Sequence, residues 1–141
     1  MFATAGASKA PVQIAHQLTL VPLDGTFAVC RLAPDAPLPS WVSRERFVSI
    51  TRTADELSLV CPQEVVPEGV RCEPGWRCFR VAGTLSFSLV AVLSGLLGPL
   101  ANAGISVFVL STFDTDYLLV KEAEYERAID VLIQAGHRVC P

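Results

Sequence analysis

The sequence has few charged residues and no excess of positive ones. Only 18% of its 141 residues are Asp, Glu, Lys or Arg, and the formal net charge is -3. An average soluble domain has roughly 25% of such residues. The nearest approach to a basic cluster is Arg44, Arg46 and Arg52, which Glu45 interrupts. A nucleic-acid binder needs positive charge to neutralise phosphates, so we predict no nucleic-acid partner.

Residues that bind metals or carry out catalysis are also scarce. The chain has two histidines and five cysteines, and no two cysteines have the two-to-four-residue gap of a zinc site. It contains no Gly-x-Ser-x-Gly elbow, no Walker loop and no paired His-Glu zinc motif. We therefore predict no metal, no cofactor and no enzymatic activity. A weaker alternative is a small enzyme with Cys61 or Cys78 as nucleophile, which would need a lowered thiol pKa.

The cysteines favour a reducing compartment. Their number is odd, and most lie in hydrophobic runs, where a free cysteine behaves as a small apolar side chain. Because disulfides are rare in the cytosol, the sequence predicts a cytoplasmic protein with free thiols. Residues 1–16 lack the sustained apolar stretch of a secretory signal, and we expect a flexible tail there.

The apolar segment Leu85–Leu100 is too short to cross a membrane. A spanning helix needs about 20 apolar residues, and this segment also contains three serines, two glycines and a proline. We predict that it forms a buried helix packed on a sheet, and that the protein has no membrane partner.

Two stretches of the chain have the same pattern, about 60 residues apart. Val48–Val60 and Phe108–Val120 each contain a β-rich run, a short acidic turn and a second β-rich run. This is the pattern of a β-hairpin. Only Leu59/Leu119 and Val60/Val120 are identical at a spacing of 60, so the pattern carries the argument. It predicts two small domains in tandem.

The second half of the chain predicts the element order β-α-β-β-α-β, which is the ferredoxin-like arrangement of an α+β fold. The second helix is indicated by glutamates in its first turn and by an apolar stripe of Tyr125, Ala128, Ile129, Leu132 and Ile133. The predicted elements are strand Trp76–Val81, a helix from Ser88 to about Ala103, strand Ile105–Thr112, strand Asp116–Lys121, a helix from Glu122 to Gly136 and edge strand His137–Cys140.

The first half predicts strands but few helices. Strands Leu18–Leu23 and Thr26–Leu32 are joined by the turn residues Asp24 and Gly25, and three prolines in Pro34–Pro39 exclude regular structure there. The turn-rich segment Pro62–Pro74 marks a domain boundary. A sheet of this kind cannot bury its open face alone, so we expect it to pack on the second half.

The run from Ala103 to Glu122, AGISVFVLSTFDTDYLLVKE, resembles the signature of ACT-domain proteins. It is most similar to the branch that includes the eukaryotic cytosolic arginine sensors and small bacterial two-ACT proteins. Phe47–Leu57, FVSITRTADEL, resembles the matching element of their degenerate first domain, and Pro99-Leu100-Ala101 extends the match. The resemblance implies two tandem ACT domains, a degenerate and helix-poor one at residues 17–70 and a complete one at residues 71–141.

The resemblance also implies a regulatory sensor that binds an amino acid at an interface between ACT domains and works as a homodimer. Ligand contacts would come from the start of the strand after the first helix, from the hairpin turn and from the loop before the first helix. A helix start can bind an α-carboxylate, and Asp116 can bind an α-ammonium group. The implied ligand-binding residues are Thr84, Ser86, Phe87, Ser88, Ile105, Ser106, Val107, Thr112, Phe113 and Asp116.

These residues also have ordinary structural interpretations. Asp114 and Asp116 are typical turn residues, because Asp bonds its own backbone. Ser86 and Ser88 are typical helix caps. The second hypothesis for function is therefore a protein-interaction module that keeps the ACT scaffold without a ligand.

Overall fold

The computed structural model describes residues 17–82 and 89–141. Within these residues, eight strands and two α-helices form an α+β fold, which confirms the predicted class. The strands are β1 Thr19–Pro22, β2 Phe27–Leu32, β3 Ser49–Arg52, β4 Leu57–Pro62, β5 Cys72–Ala82, β6 Phe108–Ser111, β7 Asp116–Lys121 and β8 Arg138–Val139. The helices are α1 Leu89–Asn102 and α2 Tyr125–Gln134, and short 3-10 helices span Gln63–Val65 and Glu122–Glu124.

The long strand β5 joins the two halves of the sheet. Its first part pairs with β2 and its last part with β1, both on one edge, while β7 pairs with the other edge. β4 and β3 continue outward from β2, β6 lies outside β7, and β8 pairs parallel with β1. We call β3–β4–β2–β5 the first unit. The second unit is β6–β7–β5–β1–β8 with both helices.

The predicted turn at Asp24 and Gly25 does not reverse the chain. β1 and β2 run in the same direction along β5, with Thr19 opposite Ala82 and Cys30 opposite Cys72. Gly25 has a φ of 84°, a conformation that glycine adopts without steric cost. Because the chain continues forward past this point, β1 lies between β5 and β8 and completes the sheet of the second unit.

Helix α1 ends where the sequence predicts, while the strand after it begins later than predicted. The Gly104 N–H donates to the Ala101 carbonyl and the Ile105 N–H to the Leu100 carbonyl, both at 2.9 Å. These two bonds form a Schellman motif, with Gly104 at a φ of 75°. Since Ile105 is used to terminate the helix, β6 starts only at Phe108 rather than at Ile105.

The apolar stripe of helix α2 is narrower than predicted. Ala128 and Leu132 are fully buried, and Tyr125 and Ile129 pack beside them. Ile133 is 52% exposed, so its predicted place in the core was wrong. The helix starts at Tyr125, because the glutamates before it form a 3-10 turn.

Different elements cover the two units. In the second unit, α1 and α2 pack over the sheet and form the helix-side core, to which Leu20 of β1 and the preceding Leu18 contribute. In the first unit, residues 33–48 and 63–71 form turns and a 3-10 helix and cover the loop-side core, whose buried residues are Ala28, Cys30, Val42, Leu57, Leu59 and Cys61. A further cluster around Phe27, Trp76 and Leu119 lies on the opposite face of the sheet.

The sequence repeat corresponds to a structural repeat, but its spacing is 59 residues rather than 60. β3 and β6 begin at 49 and 108, and β4 and β7 begin at 57 and 116. The pairings of Leu59 with Leu119 and Val60 with Val120 were therefore wrong by one position. From Val48 to Val60, the identical pairs at the correct spacing are Val48/Val107, Thr53/Thr112, Asp55/Asp114 and Leu59/Leu118.

In the part of the chain that the structure describes, neither helix could cross a membrane. Helix α1 has 14 residues, whereas a bilayer requires about 20.

Candidate functional site

Asp116 is a buried carboxylate at the first position of β7. It is 4% exposed, and its Oδ1 accepts a hydrogen bond of 2.7 Å from the Ser111 hydroxyl. Ser111 and Asp116 are register partners at the ends of β6 and β7. The interpretation of Asp116 as a turn residue was therefore wrong, because its carboxylate lies in the sheet.

The turn between β6 and β7 is built by threonines. The Thr112 backbone N–H donates to the Thr115 carbonyl at 2.8 Å, and the Thr112 hydroxyl accepts from the Thr115 N–H at 3.1 Å. The Thr115 hydroxyl donates to the Val81 carbonyl at 2.6 Å, which attaches the turn to β5. Phe113 is fully exposed at the tip of this turn. Asp116 thus lies at the base of a turn that is fixed to the end of β5.

The predicted site residues Ile105, Ser106 and Val107 lie between α1 and β6. Ile105 is 4% exposed and packs in the helix-side core, with Val107 beside it. Ser106 is exposed. Of the three side chains, Ser106 is the one that faces solvent.

Strand β6 separates this segment from Asp116. Val107 lies just before the first residue of β6. Ser111, the register partner of Asp116, is the last residue of β6, and Thr112 follows it. The four residues of β6 extend for about 10 Å. Within one chain, therefore, the structure does not bring Ile105–Val107 together with Thr112, Phe113 and Asp116.

The other four predicted site residues, Thr84, Ser86, Phe87 and Ser88, lie outside the residues that the structure describes. The described flanks are Ala82, the last residue of β5, and Leu89, the first of α1. β5 ends beside the base of the threonine turn, because Arg80 pairs with Tyr117 and Val81 bonds Thr115.

The first unit has the same hairpin without the carboxylate. At the repeat spacing, Leu57 of the first unit matches Asp116, and Arg52 matches Ser111. Leu57 is fully buried in the loop-side core. The exposed guanidinium of Arg31 donates to the Asp55 backbone carbonyl at 2.8 Å and so links β2 to the turn between β3 and β4. Only the second unit therefore has a buried carboxylate at this position.

Sequence reasoning missed Ser111 and Thr115, which position Asp116 and its turn. Nothing in the sequence pattern of a strand marks which hydroxyl faces a carboxylate. The correct repeat spacing supplies a usable signal. It aligns Thr112 with Thr53, whose hydroxyl accepts from the Asp55 and Glu56 N–H groups at 3.1 Å, and so identifies a threonine-stabilised turn with Ser111 and Asp116 opposite each other.

Across residues 17–82 and 89–141, no group of three or more His, Cys, Asp or Glu side chains is arranged to hold a metal ion. The candidate site consists of the Asp116 carboxylate with the hydroxyls of Ser111 and Thr112 beside it. Such groups can bind a cationic or polar small molecule by charge-assisted hydrogen bonds.

Two family models match the chain. The model described as ACT domain matches residues 71–134, and a model described as an N-terminal domain matches residues 25–69. The first match contains β5, α1, β6, β7 and α2, and therefore Asp116 with its turn.

Curated relatives match a short part of the chain. The cytosolic arginine sensor for mTORC1 subunit 1 of Rattus norvegicus is 38% identical over 58 residues, and the protein of the same name from Homo sapiens is 40% identical over 58 residues. Each match covers 40% of this chain and 18% of the relative. The chain thus corresponds to less than a fifth of those proteins.

Solved structures match nearly the whole chain. A protein from Agrobacterium tumefaciens has a TM-score of 0.85 and 40% sequence identity, with 89% of this chain and 94% of that chain covered. The regulatory subunit of aspartate kinase from Thermus thermophilus, in a ligand-free form, has a TM-score of 0.58 at 11% identity, with 81% and 94% covered. The second likeness concerns the fold alone.

Proposed function

Because the chain belongs to the ACT-domain family, we propose that it is a non-enzymatic regulatory protein that binds a free amino acid. The ligand would lie at an interface between two copies of the chain. The observation that carries this proposal is the buried carboxylate of Asp116, present in the second unit and replaced by Leu57 in the first.

Asp116 has the chemistry to bind an ammonium or guanidinium group. Its Oδ1 is fixed by the Ser111 hydroxyl at 2.7 Å, so the carboxylate is oriented before a ligand arrives. A buried carboxylate is costly unless it is hydrogen-bonded or paired with a cation. A cationic ligand would reduce that cost, and arginine is a sensible first candidate because the curated relatives are arginine sensors.

Pairing of two copies would bring the separated site residues together. Within the described chain, β6 pairs with β7 alone and leaves its other edge open. Antiparallel pairing of β6 with β6 of a second copy, about a two-fold axis, would place Thr112 beside Val107 of that copy. Asp116 of one copy and Ser106 of the other would then contribute to the same site. This β6–β6 pairing would also cover the open edge of the sheet, which otherwise risks aggregation.

We propose that each copy divides into a helix-poor first domain at residues 17–70 and a complete second domain at residues 71–141. The two family models meet beside this boundary. Strand β1 crosses the division, because it pairs within the sheet of the second unit. The domains would therefore move together when a ligand binds.

The ligand would act by shifting a population. If the paired state of the two copies binds the amino acid more tightly than the separate state, the amino acid favours pairing. By linkage, pairing then raises the affinity for the amino acid by the same factor. We place this sensing function in the cytoplasm, in agreement with the free cysteines.

The alternative function is a ligand-free interaction module, and Phe113 favours it. This side chain is fully exposed at the tip of the threonine turn, where its first-unit counterpart is Ala54. Exposed aromatic side chains are enriched in protein interfaces. Under this alternative, Asp116 would serve only as the acceptor for Ser111.

A thermal-shift panel of the standard free amino acids tests the proposal. A ligand at 100 times its dissociation constant adds about 2.7 kcal/mol, which corresponds to a rise of about 5 to 10 °C in unfolding temperature for a chain of this size. Asp116→Asn should abolish the response while keeping the acceptor for Ser111. Asp114→Asn, which removes a neighbouring exposed charge, should respond like the wild type. A ligand response that survives Asp116→Asn would contradict the proposed site.

A further inference from the structure

Three of the five cysteines meet in the loop-side core. Cys30 lies on β2, Cys61 on β4, and Cys72 at the start of β5. Cys30 and Cys61 are buried, and Cys72 is half-buried. All three side chains pack in the same core cluster. The cluster is unrelated to the site at Asp116, which belongs to the other unit.

The backbone places Cys30 and Cys72 in the geometry of a cross-strand disulfide. They are register partners on the antiparallel strands β2 and β5. The Arg31 N–H donates to the Arg71 carbonyl at 3.0 Å, so the adjacent pair is the hydrogen-bonded one. Cys30 and Cys72 therefore form a non-hydrogen-bonded pair, whose Cα atoms are about 4.5 Å apart. A disulfide accepts Cα separations from about 4.4 Å upward.

Cys61 is less well placed to bond with Cys30. Its register partner is Ala28, two positions from Cys30 along β2. Such diagonal neighbours have Cα atoms about 7 to 8 Å apart, and a disulfide cannot bridge more than about 7 Å without movement of the backbone.

We propose that Cys30 and Cys72 form a reversible disulfide when the protein meets a low-molecular-weight disulfide such as oxidised glutathione. The Cys72 thiolate attacks one sulfur of oxidised glutathione, which breaks the S–S bond and releases one glutathione. The Cys30 thiol then displaces the second glutathione from Cys72, and its proton passes to the departing sulfur. Two protein thiols are oxidised, and one oxidised glutathione is reduced to two glutathione molecules.

Exposure decides the order of the two steps. Cys72 is the half-buried member of the pair and is open to the reagent. Burial, and then the neighbouring Cys61 and Cys72, raise the pKa of Cys30 to about 12. Cys30 is therefore a thiol at neutral pH and reacts slowly. Closure should be slower than the first step, so a glutathione adduct on Cys72 should form first and then decay.

The bond would fasten the first unit to β5. The chain between Cys30 and Cys72 contains β3, β4 and both segments that cover the loop-side core. Among the described residues, turns and one short 3-10 helix cover this unit, and no α-helix does. A covalent link at its base would therefore restrain a unit with little helical support. Closing such a loop should raise the unfolding temperature by about 5 to 10 °C.

Tryptic mass mapping of the intact protein tests the proposal. Arg31, Arg52, Arg71 and Arg77 place Cys30, Cys61 and Cys72 on three different tryptic peptides. After treatment with oxidised glutathione at neutral pH, acid quenching and alkylation, we expect the peptide ending at Arg31 joined to the peptide Cys72–Arg77, with the loss of two hydrogens. Dithiothreitol should separate them. A link through Cys61, a glutathione adduct that never resolves, or the absence of any product would overturn the proposal.

Three serine variants complete the test. Cys72→Ser should abolish both the link and the rise in unfolding temperature. Cys140→Ser, which removes another half-buried thiol far from the cluster, should retain both. Cys61→Ser should also retain the link. If Cys61→Ser lost the link, or Cys72→Ser showed the same rise as the wild type, the assignment of the pair would be wrong.

Discussion

The two hairpins of this protein have the same architecture but differ in the side chain at the start of the second strand and in the elements that cover them. At the start of β4 the first unit has Leu57, fully buried among apolar side chains, while the start of β7 has the carboxylate of Asp116. Turns cover the first hairpin, and two helices cover the second. Strands β4 and β7 have the same order of buried and half-buried positions. The same hairpin scaffold thus holds an apolar side chain at this position in one unit and a hydrogen-bonded carboxylate in the other.

The largest expected loss of stability comes from truncating a matched leucine in the loop-side core or in the helix-side core. Leu59 and Leu118 are the same residue at matched positions, and both are fully buried. Replacing either by Ala should cost about 2 to 5 kcal/mol of unfolding free energy. Leu118→Ala should cost more unfolding free energy than Leu59→Ala. The helices over Leu118 are rigid and leave the cavity open, whereas the turns over Leu59 can move and partly fill it. Urea-induced unfolding of both variants measures the difference, and an equal or larger loss for Leu59→Ala would show that the turn-covered core is just as rigid.

The next largest loss of stability concerns His137, whose imidazole ring bonds the backbone of two elements of the second unit. His137 is 3% exposed, its Nδ1 accepts from the Leu18 N–H at 3.1 Å, and its Nε2 lies 2.8 Å from the Gly95 carbonyl oxygen, to which it can donate. His137→Ala leaves the buried Leu18 N–H and the half-buried Gly95 carbonyl without this partner and should cost about 2 to 3 kcal/mol in urea unfolding.

A neighbouring exposed bond supplies the control for His137. The Gln17 side chain donates to the Gly136 carbonyl at 3.0 Å, but in an exposed position. Gln17→Ala should therefore cost less than about 0.5 kcal/mol. Equal losses for the two variants would mean that burial of the histidine bonds adds nothing.

The smallest expected change in stability comes from glycine substitutions in helix α1 and at its end, for which the first unit has no counterpart among the described residues. Gly98 lies inside α1, and a Cβ added there would meet no atom within 4 Å. Gly98→Ala should stabilise the protein by about 0.5 to 1 kcal/mol. Gly104→Ala should have the opposite sign, because its φ of 75° disfavours a side chain. Thermal unfolding of the pair checks both signs, and a loss of stability in Gly98→Ala would show that α1 is packed more tightly at this position.

The sequence was informative where local chemistry decides the structure. The end of α1 near Ala103 and the bounds of β7, Asp116–Lys121, were predicted correctly, because helix termination and strand formation there depend on neighbouring residues. The direction of β2 after Gly25 was not predictable, since pairing with β5, about 50 residues away, decides it. The bond between Ser111 and Asp116 depended on register, and the repeat was first aligned one residue out of register.

The central claim is that one site takes Asp116 from one copy and Ser106 from the other. It is tested by mixing Asp116→Asn with Ser106→Trp, after unfolding and refolding together, and measuring amino-acid binding by calorimetry. Each variant alone should fail to bind. Random pairing in an equal mixture should restore about a quarter of the wild-type sites, because each mixed pair keeps one intact site. Refolded wild-type protein, which should bind the amino acid, serves as the control. If the wild type binds but the mixture binds no more than the separate variants, the site lies within a single chain and the account is wrong.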